Sequence, residues 1–288
     1  MTTADVGGVS LYWEEAGAGE PLLFVHGIPT DYRAWKAQVA AFAPKFRVFT
    51  FSRRCAHPNV RAGDLRDSTI ENNAEDLAGL IHQLGVAPVH LVGHSYGGFI
   101  SAFLAHRKPE LLRSLTLVEP AIASLLLKDP KSSGQRLGLL LRHPKVALSA
   151  QRYLKRANDP ALAALQRGDI TSAVRFNLDG VEDRSGVLEH LPADSQEMML
   201  ANGRTVAETG LPYPALGRQE LQSIRTPTLV VHGETSAFWL RAVAEMTGRA
   251  IPGARVVTVP SSGHYAHLQN PEAFNRVLSD FLRQRPTS

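Results

Sequence analysis

The ten residues LVGHSYGGFI (91–100) place a polar His-Ser-Tyr triplet between an apolar run and a pair of glycines. The residues VHLVG (89–93) that lead into this stretch predict a buried strand, and the apolar period that begins near Gly97 predicts a helix. Gly93, Ser95 and Gly97 therefore form a G-x-S-x-G pattern at a strand-to-helix turn. Glycines on both sides relieve crowding at such a turn, which is strained and presents the serine hydroxyl at the end of the strand. The pattern predicts that Ser95 is a nucleophile.

Strand-like runs recur along the chain and alternate with helical periods. Several of the runs are nearly continuous in apolar residues, which is typical of strands buried on both faces of a parallel sheet. The strand-like runs are 9–13, 21–25, 46–51, 89–93, 114–118, 226–231 and 254–259, and the helical periods include 71–85, 97–110 and 271–284. This alternation predicts an α/β fold with a mostly parallel, doubly wound sheet.

The alternation stops between about residues 121 and 224. This segment has the apolar period of helices, contains few strand-like runs and is too long to be a loop. We interpret it as a helical cap, 121–224, inserted into a core formed by 1–120 and 225–288. The cap is rich in Leu, Ala and Met, and cap helices exclude water and bind the apolar part of a substrate. The expected partner is therefore a moderately apolar small molecule.

Composition limits the other partners. The 288 residues are 44% hydrophobic, and no run approaches the ~18 apolar residues of a spanning helix, so we expect no membrane association. Lys and Arg are scattered and the net charge is only +4, so nucleic acid is not an expected partner. The N-terminus lacks the basic and apolar regions of a signal peptide, and Cys55 is the single cysteine. Both features predict a cytoplasmic protein. A monomer and a homodimer are both compatible with these features.

The motifs of zinc and nucleotide chemistry are absent from the sequence. It contains no CxxC, no HExxH and no GxxxxGK[ST] pattern. We therefore expect no metal and no cofactor, and a chemistry that depends on side chains such as Ser95.

With its serine turn, its strand order and its helical insertion, the sequence resembles the α/β-hydrolase superfamily over 9–120 and 225–285. The resemblance implies that His264, in the loop VPSSGHYAHLQNP (259–271), is the catalytic base. Histidine suits this role because its pKa lies near neutrality. The segment FVHGIPTDYRAW (24–35) resembles the family's His-Gly-x-Pro loop. It implies that the backbone N–H groups of Ile28 and Tyr96 form the oxyanion hole.

The acid of the triad departs from the family's usual pattern. The family usually has an Asp in the loop after the strand TLVV, but the loop HGETSAFW (232–239) has Ser236 at that position. Glu119 ends the strand SLTLVEP and follows Ser95 by 24 residues. This position resembles a subset that includes some haloalkane dehalogenases and zearalenone-type lactonases. We predict that Glu119 is the acid and pairs with His264, and keep Glu234 as the alternative acid. The alternative role for Glu119 is a salt bridge to Arg53 or Arg54.

Three charged residues are candidates for substrate binding. Arg53 and Arg54 lie in the loop FSRRCAHPNVRAGD (51–64), which borders the pocket mouth in the family, and could instead form ion pairs within the protein. Asp31 could bind substrate or cap the next helix.

The nucleophile limits the reaction. The dehalogenases and epoxide hydrolases of the superfamily use Asp at the elbow, whereas this chain has Ser95. A serine with a histidine favours an acyl-enzyme and therefore hydrolysis of a carboxylic ester or lactone. Two alternatives stay open: a C–C bond hydrolase, cyclase or cofactor-free lyase, and a non-enzymatic receptor for a small ligand.

Overall fold

The computed structural model describes residues 2–59, 64–129 and 132–283. Eight strands in this part of the chain form one sheet with the order β1-β2-β4-β3-β5-β6-β7-β8. The strands are β1 (Thr3–Val6), β2 (Val9–Ala16), β3 (Glu20–Val25), β4 (Phe46–Phe51), β5 (Val89–His94), β6 (Leu112–Val118), β7 (Thr228–Gly233) and β8 (Arg255–Val259). The pairs β1–β2 and β2–β4 are antiparallel, and the other neighbouring strands are parallel. The prediction of a mostly parallel α/β sheet is confirmed.

The centre of the sheet is apolar on both faces because helices cover it. All six residues of β5 are buried, and Leu91 pairs with Leu23 of β3 and Leu115 of β6. Parallel strands bring their carboxyl ends to one edge of the sheet, where Val25 pairs with Gly93 and His94 pairs with Val118. The loops that follow β3, β5, β6 and β7 therefore meet at this edge, which is where open α/β sheets bind ligands.

In the first half of the chain, helices alternate with strands along the sequence, in agreement with the predicted doubly wound arrangement. They are α1 (Lys36–Phe42), α2 (Ile70–Gln83) and α3 (Tyr96–Arg107). Three short 3-10 helices also lie here, Tyr32–Trp35, Leu65–Asp67 and Pro109–Leu111. α3 ends two residues before Pro109 because a proline disfavours helical backbone in the residue before it, and Lys108 has φ −141°.

Helices and turns alone occupy the described residues 121–129 and 132–224, between β6 and β7. The α-helices are α4 (Ser133–Arg142), α5 (Pro144–Tyr153), α6 (Asp159–Gln166), α7 (Ile170–Glu182), α8 (Ala193–Ala201) and α9 (Arg218–Gln222). A π-helix spans Leu154–Asn158, and 3-10 helices span Ala123–Leu125, Leu188–His190 and Gly203–Gly210. The division of the chain into core and cap stays a prediction.

Three helices follow β7: α10 (Phe238–Ala250), α11 (Ala266–Gln269) and α12 (Pro271–Arg283). α12 begins at Pro271, as the sequence predicts, since proline suits the first position of a helix. Within the described part of the chain, no helix combines the length and apolar character needed to cross a membrane.

Candidate active site

The serine turn between β5 and α3 has the strained backbone that its glycines predict. Ser95 has backbone angles φ 53° and ψ −114°, outside the regions that residues other than glycine usually adopt. A Cβ on Gly93 would overlap the Ser101 hydroxyl, and a Cβ on Gly97 would overlap the main-chain oxygens of Val25 and His26. Only glycine fits at these two positions, and the resulting turn directs the Ser95 side chain away from the strand.

Ser95, His264 and Glu119 lie in one hydrogen-bonded line, although the sequence separates them widely. Ser95 Oγ lies 2.9 Å from His264 Nε2, and His264 Nδ1 lies 2.7 Å from Glu119 Oε2. A carboxylate only accepts, so in the neutral ring Nδ1 carries the proton and Nε2 accepts from the Ser95 hydroxyl. The structure therefore brings together the three side chains that the sequence selects.

The carboxylate of Glu119 is fully buried and is held by more than His264. Its Oε1 accepts from the Gly233 N–H at 2.8 Å and from the Ser236 hydroxyl. These donors compensate for burial of the charge. Ser236 stands where the family usually has its Asp, and here it donates to the acid that comes from β6. No sequence pattern indicates this contact, because the two residues lie in loops that follow different strands, β6 and β7.

Glu234, the alternative acid, has other contacts. Its Oε2 accepts from the Ser261 N–H at 2.9 Å, and its side chain is exposed. The salt-bridge alternative for Glu119 also finds no support, because Arg53 and Arg54 bind other carboxylates. The contacts thus favour Glu119 as the partner of His264.

The loop after β3 lies against Ser95, as an oxyanion hole requires. A Cβ on Gly27 would stand 3.0 Å from Ser95 Cβ, and the Tyr265 hydroxyl donates to the Ile28 carbonyl at 3.0 Å. Tyr96 is the first residue of α3, so its N–H lies at the helix N-terminus, where the helix dipole favours negative charge. Ile28 and Tyr96 thus belong to the two segments that meet at Ser95, and the oxyanion hole formed by their N–H groups stays a prediction.

The three candidate substrate-binding residues make contacts within the protein. The buried guanidinium of Arg53 pairs with Glu208 at 2.9 Å, and Arg54 pairs with Asp76 at 2.6 Å. Asp31 caps the helix that begins at Tyr32, accepts from the Arg33 N–H at 2.9 Å and pairs with the Arg33 guanidinium. These contacts favour the alternatives to substrate binding, ion pairing for the arginines and capping for Asp31.

The Arg53–Glu208 pair also reaches the serine turn. The Arg53 guanidinium lies 4.9 Å from the ring centre of Tyr96, whose hydroxyl donates to the Ser68 carbonyl at 2.7 Å. The Ser68 hydroxyl in turn donates to Glu208. Burial and the nearby Arg53 charge together lower the pKa of His26 well below its usual value. The pair thus anchors the 3-10 helix Gly203–Gly210 beside the loops of the site.

Two further histidines pack behind His264. His94 Nε2 hydrogen-bonds to the His264 carbonyl at 2.9 Å, which fixes the loop that carries His264. His267 stacks on Trp35 with ring centres 4.3 Å apart, and neither of its ring nitrogens hydrogen-bonds to any described residue. Burial lowers the pKa of His267 to about 3 and also lowers the pKa of His94, so both rings are neutral at pH 7. His267 is therefore a buried residue that packs behind the site.

Glu182, at the end of α7, reaches the His264 loop from the helical segment. Its Oε1 accepts from Gln269 Nε2 at 2.9 Å, and Gln269 Oε1 accepts from the Gly263 N–H. Burial raises the pKa of the Glu182 carboxyl. The sequence did not indicate this link, because it depends on where α7 lies relative to the core.

Access to Ser95 is restricted. The residue is 8% exposed, and the cavities of about 700 and 370 Å³, which lie where the helical segment meets α10 and the loop before it, are lined by other residues. Within residues 2–59, 64–129 and 132–283, no group of three or more His, Cys, Asp or Glu side chains is placed to hold a metal ion.

The profile of the Alpha/beta hydrolase family matches residues 22–277, so the chain belongs to this family. A relative in Azorhizobium caulinodans, which bears the provisional name carbamate hydrolase RutD, is 28% identical over 98% of both chains. The 2-(acetamidomethylene)succinate hydrolase of Mesorhizobium japonicum is 27% identical over 96% of this chain and 93% of its own. The enol-lactonase structure from Burkholderia xenovorans LB400 shares the fold, with a TM-score of 0.66, 22% identity and coverage of 98% of this chain and 99% of that one. The protein is a hydrolase of this fold.

Proposed function

We propose that the protein is a serine hydrolase that cleaves a carboxylic ester or lactone of a moderately apolar small molecule through an acyl-enzyme. The observation that carries this proposal is the line from Ser95 Oγ through His264 to Glu119, with distances of 2.9 and 2.7 Å, on a strained strand-to-helix turn. A serine, a base and a buried acid in hydrogen-bond reach are the parts that acyl transfer needs.

The proposed reaction follows from these contacts. Ser95 Oγ attacks the carbonyl carbon while His264 Nε2 takes its proton. The N–H groups of Ile28 and Tyr96 hold the developing oxyanion, and Glu119 stabilises the imidazolium. When the intermediate collapses, the alcohol leaves with the proton from Nε2. Water then attacks the acyl-enzyme through the same base and releases the acid.

A lactone differs from an open ester in one way that can be measured. The leaving oxygen of a lactone stays attached to the acyl group, so acylation adds the whole substrate to Ser95. An open ester leaves only its acyl part. The oxygen nucleophile supports both substrates and also the carbamate chemistry in the name of the Azorhizobium relative.

The alternatives on this fold have less support. A cyclase or cofactor-free lyase would act through the same His264 but would form no acyl group on Ser95, and a C–C bond hydrolase would release a carbon leaving group in place of an alcohol. A ligand receptor would not need the proton path from Ser95 through His264 to Glu119.

The test is a rapid-quench reaction with p-nitrophenyl butyrate and with γ-nonalactone, followed by intact mass and peptide mapping. We expect a butyryl group on Ser95 with the ester and, if lactones are accepted, the mass of the intact lactone. Ser95→Ala should show neither adduct and should lose at least ~10⁴-fold in kcat. Turnover of both substrates by Ser95→Ala at the wild-type rate would contradict the proposal. Substrate consumption without an acyl group would favour the cyclase or lyase alternatives.

A further inference from the structure

The helix α4 exposes an apolar face to solvent. It buries none of its residues, yet it carries the leucines Leu137, Leu140 and Leu141, which lie on one face because their spacing is i, i+3 and i+4. Leu141 is 74% exposed and Leu137 is 56% exposed. A Cβ built on Gly138 would meet no atom of the described residues within 4 Å. α4 therefore stands away from the body of the protein, and its leucines lack the packing that usually stabilises an amphipathic helix.

The exposed apolar residues are concentrated in this region. Seven large hydrophobic side chains are exposed in the described part of the chain, and five of them lie between Leu137 and Leu154. α5 begins directly after α4, at Pro144, and exposes Leu148. A cluster of this kind marks an interaction surface rather than the scattered apolar residues of an ordinary surface. We call α4 and α5, with the π-helix that follows, the leucine hairpin (132–158).

The leucine hairpin is also strongly basic. Between residues 132 and 156 the sequence has no Asp or Glu and has six Lys or Arg: Arg136, Arg142, Lys145, Arg152, Lys155 and Arg156. All six are exposed. Removing these six from the 31 basic residues of the chain leaves 25, against 27 Asp and Glu. The positive net charge of the protein therefore resides in this hairpin, and the remainder is slightly acidic.

Basic and apolar side chains alternate closely on α5. Lys145 and Arg152 lie three residues before and four residues after Leu148, so they flank it on the same helix face. Arg152 also forms an exposed salt bridge with Asp183 at 3.4 Å. On α4, exposed Arg136 precedes Leu140 by four residues and shares its helix face. Arg142 lies on the other side of α4, where it lines the cavity of about 700 Å³ beneath the helix together with Leu139. Cations beside exposed leucines are the composition of helices that lie in a membrane interface.

The charge decides between the surfaces that could cover these leucines. A second copy of the chain would bring two strongly cationic hairpins together, which like-charge repulsion disfavours. A nucleic acid would satisfy the charge but leave the leucines in water. An anionic lipid surface satisfies both, because its headgroups attract Lys and Arg and its acyl region accepts leucine side chains.

We infer that the leucine hairpin docks the protein on anionic lipid bilayers, with Leu137, Leu140, Leu141 and Leu148 in the interface and the surrounding cations on the headgroups. This docking does not depend on the proposed reaction. It replaces the expectation of no membrane association, which rested only on the lack of a run long enough for a spanning helix. The binding is peripheral and reversible, since no more than two short helices and their side chains contact the bilayer.

The test is flotation of the full-length protein with vesicles of phosphatidylcholine alone and with about 30 mol% phosphatidylglycerol at low ionic strength. We expect binding to the anionic vesicles only, and release when the salt is raised to about 0.5 M. Arg136→Glu/Lys145→Glu, which reverses one cation beside Leu140 and one beside Leu148, should weaken binding by roughly 30-fold or more, since each cation near the surface contributes strongly. The matched control is Lys36→Glu/Lys45→Glu, which changes net charge equally at two exposed sites outside the hairpin and should keep binding.

The apolar part of the inference has its own variant, Leu137→Ser/Leu141→Ser, which should lose binding at low salt although all its cations remain. Both leucines are exposed, so this variant should keep the wild-type thermal midpoint and far-ultraviolet circular dichroism. Several results would overturn the inference. One is no binding to anionic vesicles. Another is an equal loss in the Lys36→Glu/Lys45→Glu control. A third is a dimer in light scattering that depends on Leu141. A fourth is retention on polyglutamate, without vesicle binding, that depends on Arg136 but not on Leu141.

Discussion

Glu119→Gln should remove almost all activity, because it changes which nitrogen of His264 carries the proton. The Gly233 N–H, at 2.8 Å, and the Ser236 hydroxyl both donate to Glu119 Oε1, so the oxygen of the glutamine amide takes that position. The amide NH₂ then replaces Oε2, 2.7 Å from His264 Nδ1, and it can only donate. Nδ1 must become the acceptor, the proton moves to Nε2, and the ring can no longer accept the proton of Ser95.

The expected loss in kcat is about 10⁴-fold, equivalent to about 5 kcal/mol of transition-state stabilisation, because the wrong tautomer disables the base while the oxyanion hole remains. KM should change little. The assay is steady-state hydrolysis of p-nitrophenyl butyrate by wild type, Glu119→Gln and the matched control Glu234→Gln. The Glu234 carboxylate accepts from the Ser261 N–H at 2.9 Å, so the control should stay within about threefold of wild type. A loss below tenfold in Glu119→Gln, or a larger loss in Glu234→Gln, would refute this reasoning.

The remaining predictions concern stability and the geometry of the serine turn. His267 becomes protonated below about pH 6.5 in the unfolded state, but only near its pKa of about 3 in the folded state. Because the unfolded state then binds more protons, the free energy of unfolding falls as the pH drops from about 6.5 towards 3. The measurement is urea unfolding at pH 7.0 and at pH 5.5. Between these two pH values, the free energy of unfolding of His267→Phe should fall by about 1.3 kcal/mol less than that of wild type. Equal falls in the two proteins would contradict this prediction. Glu208→Gln leaves the buried Arg53 unpaired and should lower the free energy of unfolding by about 3–5 kcal/mol. The double variant Arg53→Met/Glu208→Leu should recover most of this loss. A loss below about 1 kcal/mol for Glu208→Gln in urea unfolding would contradict this prediction. Gly97→Ala should abolish labelling by a fluorophosphonate, because its Cβ overlaps two main-chain oxygens, while Gly138→Ala, which meets no described atom, should label normally.

Most of the fold follows from local patterns in the sequence. The run FRVFTF predicts a strand over 46–51, and β4 has the same bounds. β1 (Thr3–Val6) was not predicted, because its four residues alternate at the edge of the sheet and lack an apolar run. α10 was not predicted either, although Leu240, Val243, Ala244 and Thr247 have helical spacing and are buried. That signal was present in the sequence.

The site was predictable where chemistry and local geometry restrict the residue, as at Ser95. The contacts that fix it were not, because they join distant parts of the chain. Ser236 donates to Glu119 across 117 residues, and Arg53 pairs with Glu208 across 155. Such pairs depend on how the helical segment and the loops pack, and no periodicity in the sequence encodes that arrangement.

Activation of Ser95 as a nucleophile is the central requirement of the proposed function. The measurement is the intact mass of the wild-type protein and of Ser95→Ala after treatment with a fluorophosphonate, with peptide mapping of the adduct. We expect a single adduct on Ser95 in the wild type and none in the folded Ser95→Ala variant. A folded wild-type protein that takes no adduct, or an adduct that persists in Ser95→Ala, would contradict the account.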